Sequence, residues 1–249
     1  MTLLSPVPTR AAKKLFHSFG MDVLRYSPAA NEFIRLARYL QLHQVSLVLD
    51  VGANIGQFAE GLRAAEFPGK IVSFEPVCEA HNILAQKADA KWIVAPRAAI
   101  GAGAEQVEIN VAGNSYSSSV LPMLESHSGA APNSAYVARE TVTMLSLDEA
   151  AKDFIGTRDT VFLKLDVQGF EAQVLAGAEE ILSRAAGLKL EFSLLPLYEG
   201  SASAECLLER VRSLGFECWD MEGGFRDPRN YRLLQFDGVF FREGGGSRN

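Results

Sequence analysis

The chain has 249 residues, of which 48% are hydrophobic and 22% charged, and its formal net charge is −6. These values are typical of a globular protein with one large core or, at most, two small domains. The negative charge argues against bulk nucleic-acid binding, because a polyanion would be repelled.

The first predicted elements are helices within residues 8–43. Leu15, Phe16 and Phe19 recur at helical spacing, and a second apolar face follows near residues 33–40. We predict that residues 1–46 form a helical cap that packs on the core or covers a cleft. Lys13 and Lys14 make the first helix basic and amphipathic, so peripheral contact with a membrane surface is the alternative.

Strands and helices alternate after residue 46. The predicted strands are 47–51, 70–75 and 91–95, and the predicted helices between them are 55–66 and 77–88. Continuously apolar strands that alternate with helices indicate a mostly parallel sheet with helices on both faces.

The middle of the chain breaks this alternation. Strands are predicted at 106–111 and 140–145, and residues 113–135 between them are rich in Ser, Gly, Asn, Ala and Pro. A loop of this length is usually functional or disordered. We predict a loop beside the cleft, with disorder as the alternative. Residues 146–149 form a capping box that opens a short helix.

The remaining elements complete one domain over residues 47–243. Strand 160–166, helix 170–185, strand 188–194 and helix 202–214 precede a terminal hairpin with strands 216–221 and 232–241. Residues 244–249 read G-G-G-S-R-N, which predicts a flexible tail.

The first strand ends in a glycine-rich turn. Residues 50–56 read D-V-G-A-N-I-G, and Glu75 ends the next strand, which is the layout of a nucleotide-binding βαβ unit. Asn54 stands where a dinucleotide fingerprint has glycine, and no Walker lysine follows Gly56. Asp50 would oppose a pyrophosphate but attract the sulfonium and ammonium groups of S-adenosylmethionine.

We predict a cofactor site in this segment, with Glu75 accepting both ribose hydroxyls. The alternatives are that Asp50 is a turn residue and Glu75 an exposed acid at a strand end. The predicted cofactor-binding residues are Asp50, Gly52, Ala53, Asn54, Gly56 and Glu75.

The turn and two later segments, residues 163–171 and 236–240, resemble the FkbM family of S-adenosylmethionine-dependent methyltransferases. The resemblance spans residues 47–241. It implies a Rossmann-like class I methyltransferase, with a seven-stranded, mostly parallel α/β sheet whose last strand is antiparallel. It also implies methylation of hydroxyl groups on sugars, polyketides or related metabolites. The family often has glutamate where this chain has Gln168.

The second segment supplies the predicted catalytic residues. A hydroxyl is a weak nucleophile, so Asp166 or Glu171 is predicted as the base. Alternatively, Asp166 binds the amino group of the cofactor and Glu171 orients a loop. A divalent metal held by these two acids and Glu191 is possible but not favoured, and no metal site is predicted. Lys164 is predicted to pair with Glu191 or to lie at a sheet edge, and His127 is the one histidine considered as a base.

The leading prediction is therefore an O-methyltransferase acting on a glycan or small-molecule hydroxyl, without a nucleic-acid partner. N-methylation of another acceptor, a nicotinamide dehydrogenase and a non-catalytic nucleotide-binding scaffold are the alternatives. No apolar run reaches the ~18 residues of a membrane span. Cys78, Cys206 and Cys218 fit neither a disulfide framework nor a zinc site. They predict reduced thiols and a cytoplasmic location, and the oligomeric state stays open.

Overall fold

The computed structural model describes residues 10–22 and 26–242. The strands are β1 Leu47–Val51, β2 Lys70–Phe74, β3 Trp92–Val94, β4 Ala99–Gly101, β5 Glu105–Ala112, β6 Tyr136–Ser146, β7 Val161–Leu165, β8 Ala185–Ser193, β9 Phe216–Gly223 and β10 Gln235–Arg242. The α-helices are α1 Arg10–Ser18, α2 Glu32–Leu42, α3 Gln57–Ala64, α4 Cys78–Ala85, α5 Glu125–Ser128, α6 Leu147–Ala151, α7 Glu171–Ala176, α8 Glu179–Arg184 and α9 Ala204–Ser213.

Seven strands form one sheet in the order β3-β2-β1-β7-β8-β10-β9. The neighbours from β3 to β8 are parallel, whereas β10 runs antiparallel to both β8 and β9. This is the seven-stranded α/β sheet with an antiparallel last strand that the resemblance implied, and that prediction is confirmed.

The two faces of this sheet carry separate apolar cores, because successive strand residues point to opposite faces. Leu47, Leu49 and Val51 of β1 face a core completed by α6, α7, α8 and α9. Val48 faces the other core, which contains residues of α2, α3 and α4. Leu36 and Leu40 of α2 are buried in that second core, so α2 is packed into the body of the domain. Whether residues 1–46 act as a cap stays a prediction.

A second sheet of three strands, in the order β4-β6-β5, was not predicted. β5 pairs antiparallel with β6, and β4 pairs parallel with it. The strands predicted at 106–111 and 140–145 therefore exist but lie outside the seven-stranded sheet. Exposed and buried side chains alternate over residues 141–144 of β6, as expected of a strand with one solvated face.

One helical prediction needs correction. The segment predicted as one helix, 170–185, is divided into α7 and α8 at Gly177. A Cβ atom on Gly177 would lie 1.9 Å from the carbonyl oxygen of Gly101, so only a residue without a side chain fits where the chain passes β4. In the predicted N-terminal helical region, 8–43, the described helices are α1 and α2. Leu15, Phe16 and Phe19 of the first part are exposed. Residues 8 and 9 and the predicted tail 244–249 lie outside the described residues.

Within the described ranges, no helix has the length and apolar character needed to cross a membrane.

Candidate active site

A cavity of about 470 Å³ opens at the carboxyl ends of the parallel strands. Residues that follow β1 and β2 form one wall, which includes Gly52 and Glu75. Asp166 after β7, Glu191 near the end of β8 and Asp237 near the start of β10 lie on another wall. Because β10 is antiparallel, its first residues reach the same edge of the sheet. The position matches the crevice where open α/β sheets bind ligands.

The glycine turn joins β1 to α3 along this cavity. Gly52 and Gly56 have φ angles of 74° and 98°, in the left-handed region that glycine occupies without strain. A Cβ atom on Gly52 would lie 1.9 Å from the carbonyl oxygen of Asp166. One on Gly56 would lie 2.7 Å from the Trp92 ring. Both glycines are therefore required by close packing within the protein itself.

Glu75 braces the turn from the end of β2. Its Oε2 accepts a hydrogen bond from the Asn54 N–H at 2.7 Å, and its Oε1 accepts one from the Val77 N–H at 2.9 Å. Burial raises the pKa of Glu75 to about 7, although these two N–H groups act in the opposite direction. Glu75 lines the cavity, so its carboxylate can face a ligand while it holds the turn.

Asp50 does not face the cavity, which corrects the expected orientation of its carboxylate. Its side chain is fully buried, and its Oδ1 lies 3.0 Å from Lys164 Nζ on the neighbouring strand. The two residues are register partners in the β1–β7 ladder. Ser73 donates a hydrogen bond to the other oxygen at 3.0 Å. The Asp50 carboxylate therefore does not line the cavity, and it contacts the cavity residue Lys164 instead.

Lys164 is central, not at a sheet edge, and its ion pairs are with Asp50 and Asp166 instead of Glu191. Its Nζ also donates a hydrogen bond to the Gly52 carbonyl oxygen at 2.8 Å. Burial alone would lower the pKa of Lys164, but the two carboxylates raise it. This buried lysine thus joins the glycine turn to the end of β7.

Asp166 presents its carboxylate to the cavity, and its side chain is 45% exposed. Its Oδ1 accepts a hydrogen bond from Gln168 Nε2 at 2.8 Å, and its Oδ2 lies 3.7 Å from Lys164 Nζ. Gln168 also donates to Glu191 Oε2 at 3.2 Å. Glu191 in turn accepts from Gln235 Nε2 at 2.5 Å.

Glu171, the other predicted base, is buried and is not among the residues that line the cavity. Its Oε1 accepts hydrogen bonds from the backbone N–H groups of Val167 at 3.2 Å and Gly169 at 3.3 Å. Burial raises the pKa of Glu171 to about 7. The geometry favours the alternative role, in which Glu171 orients the turn after β7.

Lys189 of β8 and Asp237 of β10 line the same wall as Glu191, and the sequence did not single out these two as site residues. Lys189 Nζ lies 2.7 Å from Glu222 Oε2 and 3.0 Å from Asp237 Oδ2. Arg35 of α2 pairs with Glu222 at 2.8 Å. Polar and apolar residues alternate along 188–193, and this pattern could have revealed the face that carries Lys189 and Glu191.

The segment 113–135 lies beside the cavity, as predicted, and is ordered around α5 and a 3₁₀ turn at Pro132–Ser134. Ser115 contacts the glycine turn, because its Oγ accepts a hydrogen bond from Asn54 Nδ2 at 3.3 Å. His127 is buried and lines the cavity, and its Nε2 lies 3.2 Å from Ser117 Oγ. Burial lowers the pKa of His127 to about 4, so the ring is neutral at pH 7.

The charges of the cavity suit a cationic ligand. Among the described residues that line it, five are carboxylates: Glu32, Glu75, Asp166, Glu191 and Asp237. The two lysines that line it, Lys164 and Lys189, are already paired with carboxylates. An anionic phosphate would find no unpaired lysine here, whereas a sulfonium would be stabilised. The described part of the chain contains no group of three or more His, Cys, Asp or Glu arranged to hold a metal ion.

Comparison with solved structures finds methyltransferases that are similar to this chain at low sequence identity. One is a TehB-like SAM-dependent methyltransferase from Corynebacterium glutamicum, which is 13% identical, covers 92% of this chain and 94% of its own, and has a TM-score of 0.39. Another is a plantazolicin methyltransferase in complex with a triazolic desmethylPZN analog and SAH, at 10% identity, 84% coverage of each chain and a TM-score of 0.46. No protein of curated function matches the sequence.

Residues 50–218 match the model of the methyltransferase FkbM domain. The matched segment contains the glycine turn, Glu75, the 164–171 segment and Glu191. It covers well over half of the chain. The sheet also has the seven strands and the antiparallel last strand that the resemblance implied. The chain therefore belongs to the FkbM family and is an S-adenosylmethionine-dependent methyltransferase with the class I fold.

Proposed function

We propose that this methyltransferase is O-directed, and that its acceptor is a neutral, polyhydroxylated molecule such as a sugar, a glycan or a hydroxylated secondary metabolite. The observation that carries the proposal is the position of Asp166. Its carboxylate is 45% exposed in the cavity, next to the glycine turn, and one oxygen is held by Gln168. The second oxygen forms an ion pair with Lys164 Nζ at 3.7 Å, which is beyond hydrogen-bond distance.

Bound S-adenosylmethionine supplies a methyl group on a positively charged sulfur. The residues of the chain must bring the acceptor oxygen into line with that methyl group, and this positioning supplies much of the rate. As the oxygen–carbon bond forms and the carbon–sulfur bond breaks, the hydroxyl proton must leave. Asp166 takes that proton in this proposal, which is the role of a general base.

The glycine turn would hold the cofactor. Gly52, Ala53 and Asn54 offer backbone along one wall of the cavity, and Glu75 offers a carboxylate to the ribose hydroxyls. Gly56 places the first turn of α3 beside this wall. Asp50 contributes indirectly, since its partner Lys164 donates to the Gly52 carbonyl oxygen at 2.8 Å.

The acceptor would lie against Asp166, Glu191 and Asp237. Carboxylate oxygens accept hydrogen bonds from hydroxyl groups, so this wall suits a molecule with several of them. Phosphorylated acceptors are disfavoured because the cavity lysines are engaged. Tyr116 is 61% exposed at the same cavity and offers an aromatic surface to a sugar ring.

N-methylation of a small amine is the second candidate, because the same carboxylates would attract an ammonium group. Both candidates can be tested with methyl-labelled S-adenosylmethionine and two panels, one of oligosaccharides and hydroxylated metabolites, the other of amines. We expect label on a hydroxyl oxygen, identified by NMR of the labelled methyl group. Label confined to amine nitrogens would replace this proposal with the second candidate. Cofactor binding without transfer to either panel would favour a non-catalytic role.

A further inference from the structure

Gln168 lies between two carboxylates and a phenol at the wall of the cavity. Its Nε2 donates hydrogen bonds to Asp166 Oδ1 at 2.8 Å and to Glu191 Oε2 at 3.2 Å. Its Oε1 accepts a hydrogen bond from the Tyr198 hydroxyl at 2.6 Å. In this orientation the amide nitrogen faces two carboxylates, which accept hydrogen bonds, and the amide oxygen faces a hydroxyl that donates one. Both of its N–H groups are therefore used.

The backbone around Gln168 is held in an unusual conformation. Its φ is 55°, in the left-handed region that costs a non-glycine residue about 1 kcal/mol or more. The turn is fixed on both sides. Ser119 Oγ donates to the Gln168 carbonyl oxygen at 2.8 Å, and Glu171 accepts from the N–H groups of Val167 and Gly169. The side chain is thus aimed between the carboxylates by a rigid turn.

The surroundings of this amide are strongly acidic. Asp166, Glu171, Glu191 and Asp237 interact electrostatically. Lys164 pairs with Asp166, and Lys189 pairs with Asp237. Burial, and then the neighbouring carboxylates, raise the pKa of Glu191 well above its ordinary value. A neutral donor between Asp166 and Glu191 stabilises both without adding charge. A glutamate could serve only one of them, through its single proton.

We propose that Gln168 is a positioning residue for methyl transfer: its amide fixes Asp166 through one carboxylate oxygen and separates it from Glu191, so that the second oxygen can take the acceptor proton. The inference rests on the proposed function, because it assumes that Asp166 is the base. It also gives a physical meaning to the glutamine at a position where the family often has glutamate. In this chain the two N–H groups serve two acids at once.

The test is a titration of the Asp166 carboxyl carbon by NMR in the full-length protein labelled with ¹³C-aspartate. The signal is assigned by its loss in Asp166→Asn, and neither cofactor nor acceptor is needed. In Gln168→Glu we expect the titration midpoint of this signal to rise by about one unit or more, because a third acid replaces the donor. Gln168→Met, which removes both N–H groups without adding charge, should raise it by a smaller amount.

Gln106→Glu is the matched control. Gln106 is exposed on β5, and its amide donates a hydrogen bond to Thr143 outside the cavity. It should leave the midpoint unchanged. An unchanged midpoint in both Gln168 variants would overturn the inference, since a merely structural glutamine would not tune Asp166. Failure of the proposed function looks different. In that case Asp166→Asn keeps full methyl transfer, whatever the titration shows.

Discussion

The two walls of the cavity are built in different ways. The turn side, which consists of residues 52–56 and Glu75, comes from one βαβ unit. It is held by backbone hydrogen bonds from Gly52 and Ala53 to the Phe74 carbonyl oxygen, and by backbone N–H groups that donate to Glu75. The carboxylate side, which consists of Asp166, Glu191 and Asp237, comes from three strands, β7, β8 and β10. Its geometry depends on side-chain hydrogen bonds through Gln168 and Gln235.

This difference suggests a division of roles. A wall fixed by backbone suits the constant ligand of a methyltransferase family, whereas a wall of side chains can change with the acceptor. The two walls are joined by Lys164, which contacts the Gly52 carbonyl oxygen on one side and Asp166 on the other. If this division holds, substitution of Lys164 should have the largest effect, followed by substitution of Asp166 and then of Glu171.

Removing the buried cation that joins the walls should have the largest effect. Lys164→Met leaves Asp50 fully buried with Ser73 as its remaining hydrogen-bond partner. Breaking one partner of a buried ion pair costs about 3–5 kcal/mol. We expect a loss of that size in the free energy of unfolding, measured by urea denaturation.

The control for this loss is the double variant Asp50→Asn with Lys164→Met. It removes the stranded charge and keeps an acceptor for Ser73, so it should recover much of the stability. A loss below about 1 kcal/mol in the single variant would mean that the pair does not support the turn.

The second effect concerns the carboxylate side alone. Asp166→Asn keeps the shape of the side chain and an oxygen for Gln168 but loses the basic group. We expect kcat to fall by roughly 100-fold or more, as for other general bases, with a cofactor Kd within about threefold of the wild type. Asp153→Asn, at an exposed site outside the cavity, should leave kcat unchanged. A variant that loses cofactor binding instead would assign Asp166 to the amino group of the cofactor.

The third effect is the pH dependence of stability, and it concerns the turn after β7. The pKa of Glu171 is about 7 when folded and 4.5 in its ordinary state, so the folded protein binds more protons between these values. The wild type therefore loses stability as the pH rises from about 4.5 to 7. The side chain in Glu171→Gln does not titrate, so this variant should not lose that stability. Between pH 5 and pH 8 its free energy of unfolding should rise on the order of 2 kcal/mol relative to that of the wild type.

Urea denaturation at the two pH values measures this gain. Glu179→Gln is the matched control, because Glu179 is exposed at the start of the next helix. It should keep the pH slope of the wild type. An equal slope in all three proteins would show that Glu171 does not carry the proposed pH dependence.

The sequence predicted the turn side well because its information is local. The pattern of residues 50–56 and the acid at 75 lie within one βαβ unit, so spacing alone brings them together. The orientation of Asp50 was missed because it depends on a neighbour 114 positions later, Lys164, which the parallel register places opposite it. The sequence contains one clue to this pairing. Asp50 and Lys164 are the fourth residues of β1 and β7, and the other residues of both strands are apolar.

The carboxylate side was predicted only in part, because it combines the carboxyl ends of β7 and β8 with the start of the antiparallel strand β10. Asp166 follows from its motif, but Glu171 points into the turn and not into the cavity, which no spacing rule reveals. Asp237 joins the site because β10 enters the sheet antiparallel between β8 and β9. The second sheet was missed for a similar reason, since strand pairing depends on contacts distant in sequence.

The most direct test is a calorimetric titration of S-adenosylmethionine at pH 8 into the wild type, Glu75→Gln and Glu191→Gln. At this pH Glu75, with a pKa of about 7, is mostly ionised. Each substitution replaces one carboxyl group with an amide, and the two sites lie on opposite walls of one cavity. We expect one site in the wild type, a loss of about 2 kcal/mol (roughly 30-fold) in Glu75→Gln, and a change below about threefold in Glu191→Gln. Equal losses in both variants, or a loss only in Glu191→Gln, would contradict the assignment of the cofactor to the turn side.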